Sequence, residues 1–349
     1  AAKAAAMLLL TGIETKSVEI PFPDGSRVLF QLNSLKVIDH ARRIVKASII
    51  KDAGDDPDVT NGAIIEATVC YGRNKESADE VIKIFGGKGV GTVTKRGLAI
   101  PVGEPAINPV PGKMIRAAVA EAVLESSDNP ASQLEITISI PEGEILAEKT
   151  LNHRLGIVGG LSVLGTTGIV RPVSADAWTA TIATSMDVAK EAGIDEIILS
   201  TGRTSEKAVQ EYLGFPEEAQ VMMGDYLHFS LVEAAKHTFA KIHLSAMWAK
   251  VMKCGMQIPQ THVRNGALEV VAALEFLKKL DCNAELLQTL EGSNTAREIY
   301  GRLLDCGEER VIARVCGAAK EYAENVSGLD VTVYLVDATT KIVFQTQKD

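Results

Sequence analysis

Ile197-Ile198-Leu199-Ser200-Thr201-Gly202-Arg203-Thr204-Ser205 reads as a strand running into a tight loop and then a helix. Three successive large apolar residues suit a strand covered on both faces. Thr201-Gly202-Arg203 supply the turn, and the helix is predicted from Ser205. The same rhythm recurs on either side. Leu161-Ser162-Val163-Leu164 enters Gly165-Thr166-Thr167-Gly168, and Ser174 is placed to N-cap a helix running to Ala192. Ala219-Gln220-Val221-Met222 enters Met223-Gly224-Asp225 and a second helix. Lys241-Ile242-His243-Leu244 enters a helix around Met247 to Cys254. Repeated strand, short loop and helix imply a parallel, doubly wound α/β sheet. The region from roughly Ala267 to Asn325 is predicted helical. Two last strands, Val331 to Val336 and Lys341 to Gln345, complete the sheet.

Upstream of Thr150 the pattern is different. Ala1 to Leu10, rich in alanine and leucine, reads as a helix ending at Gly12 rather than a signal peptide, because no small-residue cleavage site follows. Val18-Glu19-Ile20 and Arg27-Val28-Leu29-Phe30 flank Asp24-Gly25, a hairpin signal. Further strands are predicted over Arg43 to Ile50 and Ala63 to Val69. A helix over Gly112 to Glu125 places Met114, Ile115, Ala118, Ala122 and Val123 on one face, and Leu134 to Ile138 alternates as a half-buried strand. This order fits a segregated α+β domain. The expected organisation is therefore two domains, an α+β domain over 1–150 and an α/β domain over 151–349. No internal repeat or low-complexity segment interrupts them.

Composition narrows the function classes. The 349 residues carry a net charge of −9, which argues against nucleic acid and anionic membranes, since both need clustered Lys and Arg. A small anionic ligand remains compatible if basic residues gather in one cleft. Cys70, Cys254, Cys282, Cys306 and Cys316 form no C-x-x-C pair, so neither a disulfide framework nor a zinc site is expected, and a cytoplasmic setting fits. No apolar run approaches the ~18 residues of a membrane helix.

In an open parallel sheet, ligands bind outside the carboxyl ends of the strands. Gly165, Thr166, Thr167 and Gly168, then Thr201 and Gly202, then Met223, Gly224 and Asp225 are expected there, on one sheet edge. Glycine admits close backbone approach, and each following helix N-terminus favours negative charge. Asp225 is placed to meet ribose hydroxyls or a sulfonium cation. The upstream region holds two further stretches. Lys51-Asp52-Ala53-Gly54-Asp55-Asp56-Pro57-Asp58 lacks the EF-hand spacing for calcium. Gly86-Gly87-Lys88-Gly89-Val90-Gly91-Thr92 looks like a phosphate cradle but lacks G-K-[ST]. Val102 to Pro109, with Glu104 and Asn108, reads as part of a cleft wall. The six histidines show no metal-ligand spacing, so no protein metal site is expected; His262, in Gln260-Thr261-His262-Val263-Arg264, stands out as a loop histidine.

Taken in order, these stretches resemble the CbiD family. The residues that carry the resemblance are Ile50 to Thr60, Gly86 to Thr94, Val102 to Pro109, and Thr150-Leu151-Asn152 with Arg154 to Gly160 through Gly165 to Pro172. Thr201-Gly202-Arg203, Met223-Gly224-Asp225 and Thr261-His262 follow. The family opens with a Gly-Tyr-Thr-Thr-Gly-like segment before its alanine-rich helix. This sequence starts inside that helix, so an upstream segment is expected. The resemblance implies a cobalt-precorrin-5B C1-methyltransferase of anaerobic cobalamin (vitamin B12) biosynthesis, with S-adenosylmethionine as methyl donor. Cobalt would enter only within the tetrapyrrole substrate. It also implies an N-terminal domain similar to the second domain of ribosomal protein S5 and a Rossmann-like C-terminal domain. Homo-oligomers and transient contacts with neighbouring pathway enzymes are compatible with it.

Methyl transfer from a sulfonium is an in-line displacement, so positioning dominates and no covalent intermediate is required. If a ring proton must leave, His262 and Asp52 are the candidate bases. The substrate implied by the resemblance carries many carboxylates. Some of Lys51, Lys88, Lys95, Arg96, Arg171, Arg203 and Arg264, with Lys51, Lys88, Arg171 and Arg203 foremost, are expected to line a locally basic cleft between the domains, with Asp55, Asp56, Glu104 and Asn108 as polar contacts. Two competing readings predict different ligands. A nucleotide-dependent enzyme using Gly86 to Gly91 would bind Mg-ATP. A tetrapyrrole carrier would bind pigment without S-adenosylmethionine.

Overall fold

The structure, a computed structural model, describes residues 1–56, 58–72, 81–126, 133–165, 167–169, 175–261 and 269–347. The chain divides into two compact units, Ala1–Ser174 and Ala175–Asp349.

The first unit opens with helix α1 (Ala2–Thr11), which ends at Gly12 in the left-handed conformation, φ 72°, its N–H on Leu8 O. Strands β1 (Ser17–Pro21) and β2 (Arg27–Gln31) form the expected antiparallel hairpin. Its turn is fixed by Asp24 Oδ1, which accepts from Ser26 N at 2.9 Å and Ser26 Oγ at 2.6 Å. Strands β3 (Ser34–Asp39), β4 (Ile44–Ile50), β5 (Ile64–Tyr71), β6 (Ile82–Gly86), β7 (Gly89–Val90) and β8 (Thr92–Val93) follow. Next come helix α2 (Pro109–Glu125), strand β9 (Leu134–Ser139), helix α3 (Gly143–Ala147), and strands β10 (Ile157–Val158) and β11 (Gly160–Leu161). The sheet order is β3-β4-β5-β9-β6, antiparallel except for the β6–β9 pair. Helix α1 packs on β4, β5 and α2, so Ala4, Ala5, Ala6, Val69, Leu134 and Ile136 become fully buried.

A charged clamp closes that layer. Lys3 is only 5% exposed, and its Nζ donates to Glu121 Oε2 at 2.7 Å and to Glu19 O at 3.1 Å. Arg27 grips the same carboxylate with two bonds of 2.8 and 3.0 Å. Helix α1, the hairpin and α2 are thus tied at one point.

Two expectations are corrected here. The division falls at Ser174/Ala175, not at 150/151. Leu161 to Leu164 is not a strand of the downstream sheet. Gly160–Leu161 pairs in parallel with Gly89–Val90, Ile157–Val158 pairs antiparallel with Thr92–Val93, and Val163 bridges Ile107. The physical reason is pairing with partners already in the first unit, which an isolated apolar run does not reveal. Helix α2 also begins three residues early, with Pro109 at its first position, where a missing N–H costs nothing.

The second unit contains α4 (Ala175–Glu191), β12 (Glu196–Ser200), α5 (Arg203–Leu213), β13 (Gln220–Met222), α6 (Leu227–Lys236), β14 (Lys241–Met247) and α7 (Trp248–Gly255). Helices α8 (Val270–Lys279), α9 (Ala284–Leu290), α10 (Ala296–Asp305) and α11 (Glu309–Ser327) precede β15 (Asp330–Val336) and β16 (Ile342–Gln345). The sheet order is β13-β12-β14-β15-β16, with only β16 antiparallel. Side chains alternate across it, as a period of two demands. Ile197, Leu199, Ile242 and Leu244 enter the large core with α4, α6, α7 and α11, while Ile198, Tyr334 and Val336 meet Ala208 and Val209 of α5 on the other face. From β12 the chain goes to β13 on one side, then returns to β14 on the other. The carboxyl ends of β12 and β14 therefore flank a topological switch point, where open α/β sheets bind ligands. Among the described residues, no helix is long and apolar enough to cross a membrane.

Candidate functional site

The carboxyl edge of the second unit's sheet brings together Thr201, Gly202, Met223, Gly224 and Asp225, five of the nine residues expected there. Thr201 N donates to Ser245 O at 3.1 Å, which joins the loop after β12 to β14. Gly202 is the N-cap of α5, in extended backbone, and a Cβ there would meet nothing within 4 Å. Arg203 opens the helix and is exposed. Two buried polar atoms here have no partner among the described residues: Ser200 Oγ, at the end of β12, and Trp248 Nε1, just after β14. Such atoms are costly unless a ligand or water reaches them.

The loop after β13 is held firmly. Met223 N donates to Ser200 O at 2.9 Å. Gly224 has φ +57°, and a Cβ on it would stand 2.9 Å from Trp178 Cζ2. Trp178 Nε1 donates to Met223 O at 3.2 Å. Asp225 is the centre of a polar cluster. Its Oδ1 accepts from Lys250 and, at 3.0 Å, from Thr261 Oγ1. Lys250 also donates to Thr261 O at 2.9 Å, and Lys253 to the same oxygen at 3.0 Å. Thr261 N returns a bond to Asp225 O at 3.0 Å. Lys253 is 4% exposed. Burial pushes its ammonium pKa down, the neighbouring Lys250 charge adds to that, and Asp225 opposes it. Asp225 thus fastens the β13–α6 loop to α7 and to Thr261. His262, Arg264, Thr166 and Arg171 lie outside the described residues.

Gly165, Thr167 and Gly168 belong to the first unit and not to the unit that contains this sheet. Thr167 Oγ1 is engaged locally, donating to Ile169 O at 3.1 Å, and a Cβ on Gly168 would meet Met114 at 2.9 Å and Phe22 at 3.0 Å. The stretch Gly86 to Gly91 is a junction of backbones rather than a cradle. A Cβ on Gly89 would overlap Ile140 O, and one on Gly143 or Gly160 would overlap Gly89 O. Gly87 N donates to Ile138 O, Val90 N to Gly87 O and Gly91 N to Leu161 O, so these N–H groups already have protein partners. The glycines let three chain segments touch. Lys88 projects from this junction and is exposed.

The acidic stretch is a self-bonded β4–β5 loop. Asp52 is exposed, and its Oδ1 accepts from Gly54 N at 2.8 Å. Lys51 pairs with Asp58 and Thr60, and Asp58 also accepts from Thr60 N at 2.8 Å. Partial burial works against the Asp58 charge, but the bonds from Lys51 and Thr60 outweigh it and hold this carboxyl below its usual range. Asp55 is exposed and Asp56 half-buried. Glu104 and Asn108 do come together. They line a groove of about 260 Å³ with Ile84, Ile100, Ile107 and Arg116. Asn108 is the N-cap of α2 but makes no side-chain cap bond; Pro111, at the third helical position, has no N–H to donate to it.

Arg116, Lys250, Lys253 and Trp178 were absent from the expected site. Lys250 and Lys253 carried a signal, being three apart on the helix after a core strand. Among the described residues, no group of three or more His, Cys, Asp or Glu is placed to hold a metal ion.

Residues 1–172 match the CbiD family and residues 260–347 match the CbiD C-terminal domain. The cobalt-precorrin-5B C(1)-methyltransferase of Desulfotalea psychrophila is 53% identical over 345 residues, covering 98% of this chain and 93% of its own. Its namesake from Geobacter metallireducens is 42% identical, covering 99% and 95%. A solved structure, the cobalamin biosynthesis protein (cbiD) of Archaeoglobus fulgidus, aligns with 88% of this chain and 81% of its own at 24% identity and a TM-score of 0.36. With more than half its residues shared with a relative over nearly its full length, the chain belongs to the CbiD family.

Proposed function

We propose that this chain methylates C-1 of cobalt-precorrin-5B, using S-adenosylmethionine and giving cobalt-precorrin-6A, in anaerobic corrin-ring biosynthesis. The observation that carries this reading is the 53% identity with a cobalt-precorrin-5B C(1)-methyltransferase across 98% of the chain. The second unit is the donor domain, a Rossmann-like variant, and the first, with its S5-like sheet and helices, carries substrate contacts. Ser200 Oγ and Trp248 Nε1, buried and without a partner among the described residues, fit a polar ligand at the switch point.

The sulfonium supplies its own leaving group, so the protein's work is alignment. Methyl transfer forms a bond from a ring carbon to the methyl while the methyl–sulfur bond breaks, which needs the two held in line and close. The loop Met223–Asp225, held by Ser200 and Trp178, offers a rigid wall for that purpose. Lys88 and Arg203 are exposed cations suited to substrate carboxylates; Lys51, already paired with Asp58, is the weaker candidate. Glu104, Asn108 and Arg116 add a groove with polar groups over an apolar floor. Asp52 and His262 remain the candidate bases. Cobalt arrives in the substrate.

Incubation with cobalt-precorrin-5B and methyl-labelled S-adenosylmethionine tests the reading. One labelled methyl on the tetrapyrrole, located at C-1, is expected. Pigment binding with no transfer, and no calorimetric heat with S-adenosylmethionine, would replace it with the carrier reading. Asp225→Asn keeps the size of the side chain and removes its charge. It is expected to weaken donor binding and also to loosen the Lys250–Thr261 cluster, so thermal melting must be measured beside the titration.

A further inference from the structure

We infer that the indole of Trp178 is the platform on which the adenine ring of the methyl donor stacks. The inference rests on the S-adenosylmethionine reading above and names its base subsite.

Trp178 lies in the first turn of α4 and is 41% exposed. A large aromatic with that much open surface is usually mobile or covered, and this one is fixed. Its N–H donates to Met223 O, and its ring stacks on Tyr226 at 6.4 Å and 27°. Its six-membered edge also presses on Gly224, where any Cβ would come within 2.9 Å. Three contacts orient the ring without burying it. They involve one loop, Met223 to Tyr226, which leaves the carboxyl end of β13 beside the switch strand β12. The result is a rigid, flat, apolar face at the sheet edge where a nucleoside is expected.

A neutral purine fits that face. Base–aromatic stacking tolerates exposure and needs only a fixed ring, and prior fixing removes the ordering cost on binding. Gly224 is then a requirement of the subsite, because a side chain there would tilt the indole away. Asp225 follows directly, fastened by Lys250 and Thr261, so the polar remainder of the donor would meet a loop as rigid as the ring.

The chain has two tryptophans, Trp178 and the buried Trp248. Emission present in the parent chain and absent from Trp178→Phe, in which Trp248 is the remaining indole, reports Trp178. Titration with S-adenosylhomocysteine, S-adenosylmethionine and adenosine is expected to quench it saturably, at the affinity that calorimetry gives for each. Trp178→Leu is expected to weaken binding of all three on the order of tenfold or more, while Trp178→Phe keeps most of it. Gly224→Ala, which leaves the indole in the chain, is expected to weaken binding similarly. Donor binding that survives Trp178→Leu unchanged would overturn the subsite and leave the proposed function intact. Quenching by the sulfonium compound alone would also overturn it, since that marks a cation over the ring rather than a base. No donor binding by the parent chain would overturn both.

Discussion

At the scale of single residues, His243 shows how burial and hydrogen bonding set a titration. It is 5% exposed, under α5 on the sheet's smaller core face. Its Nε2 meets Glu196 Oε2 at 2.9 Å and its Nδ1 meets Tyr334 Oη at 3.0 Å. A carboxylate takes the Nε2 proton and leaves Nδ1 to accept from the tyrosine, so the neutral ring satisfies every atom. Burial pushes the His243 pKa down, and the Glu196 carboxylate only partly restores it; Lys241 and Asp330 add opposing smaller effects. Burial likewise pushes Tyr334 up to about 12, so it remains a donor. Because the folded pKa lies below the unfolded value of about 6.5, the unfolded chain binds more protons between the two. Stability therefore rises with pH through that interval, is complete above it, and is lost as pH falls. Urea unfolding between about pH 5 and pH 7.5 should show that slope, and His243→Gln should remove this residue's share of it. Tyr334→Phe strands Nδ1 and should cost about 1–2 kcal/mol at neutral pH, read from the same curves.

At the scale of elements, glycines that look alike in sequence do different work. Gly89 sits at φ +75° with its Cα against Ile140 O, so Gly89→Ala must push this backbone away from that of Ile140 and also strain its own φ. A loss of more than about 3 kcal/mol is expected in chemical unfolding, beyond ordinary overpacking. Gly202→Ala faces open space in extended backbone and should fold like the parent, within about 1 kcal/mol. Nothing in Gly86-Gly87-Lys88-Gly89 or in Thr201-Gly202-Arg203 separates the two cases, because the partner of Gly89 lies some fifty residues downstream. The same limit hid β3, an edge strand whose Lys36 and Ile38 face outward. It also hid the pairing that draws Leu161 into the first unit. What was legible was local. Asp24-Gly25 fixed the hairpin, Gly12 the end of α1, and the strand–loop–helix rhythm after Glu196 the parallel sheet. The candidate site was legible where loops follow such strands, at Thr201 and Asp225. It was illegible where a helix two elements away supplies the side chain, as Trp178 does. A second element-scale test concerns Glu121. Its bonds with Arg27 and Lys3 outweigh partial burial and hold its pKa at about 2. The clamp's contribution is complete above the usual carboxylate pKa of about 4.3 and is lost as pH falls through about 2. Glu121→Gln should flatten the acid limb of the melting curve and leave the buried Lys3 with Glu19 O at 3.1 Å and the Glu125 carboxylate at 3.4 Å.

At the scale of the whole molecule, charge poses a question that single contacts do not answer. The chain carries −9, yet the proposed substrate is a polycarboxylate. Two electrostatic effects compete. The net charge repels an anion at long range, and exposed cations such as Lys88 and Arg203 attract it at short range. Salt weakens both, and the Debye length of about 8 Å at physiological ionic strength removes the long-range effect first. If the net charge dominated, KM for cobalt-precorrin-5B would fall as salt is added. If local cations dominate, KM should rise steadily from about 50 mM to about 500 mM NaCl as their contacts are screened. The proposed function requires the second outcome, because an anion repelled by the molecule needs a local site to dwell at all. Arg203→Glu supplies the control. It should raise KM at low salt by several-fold, leave kcat and the calorimetric affinity for S-adenosylhomocysteine near those of the parent, and flatten the salt dependence. A KM that falls with salt in the parent, or is indifferent to Arg203→Glu, would remove Arg203 from the substrate contacts and return the search to the groove lined by Asn108 and Arg116.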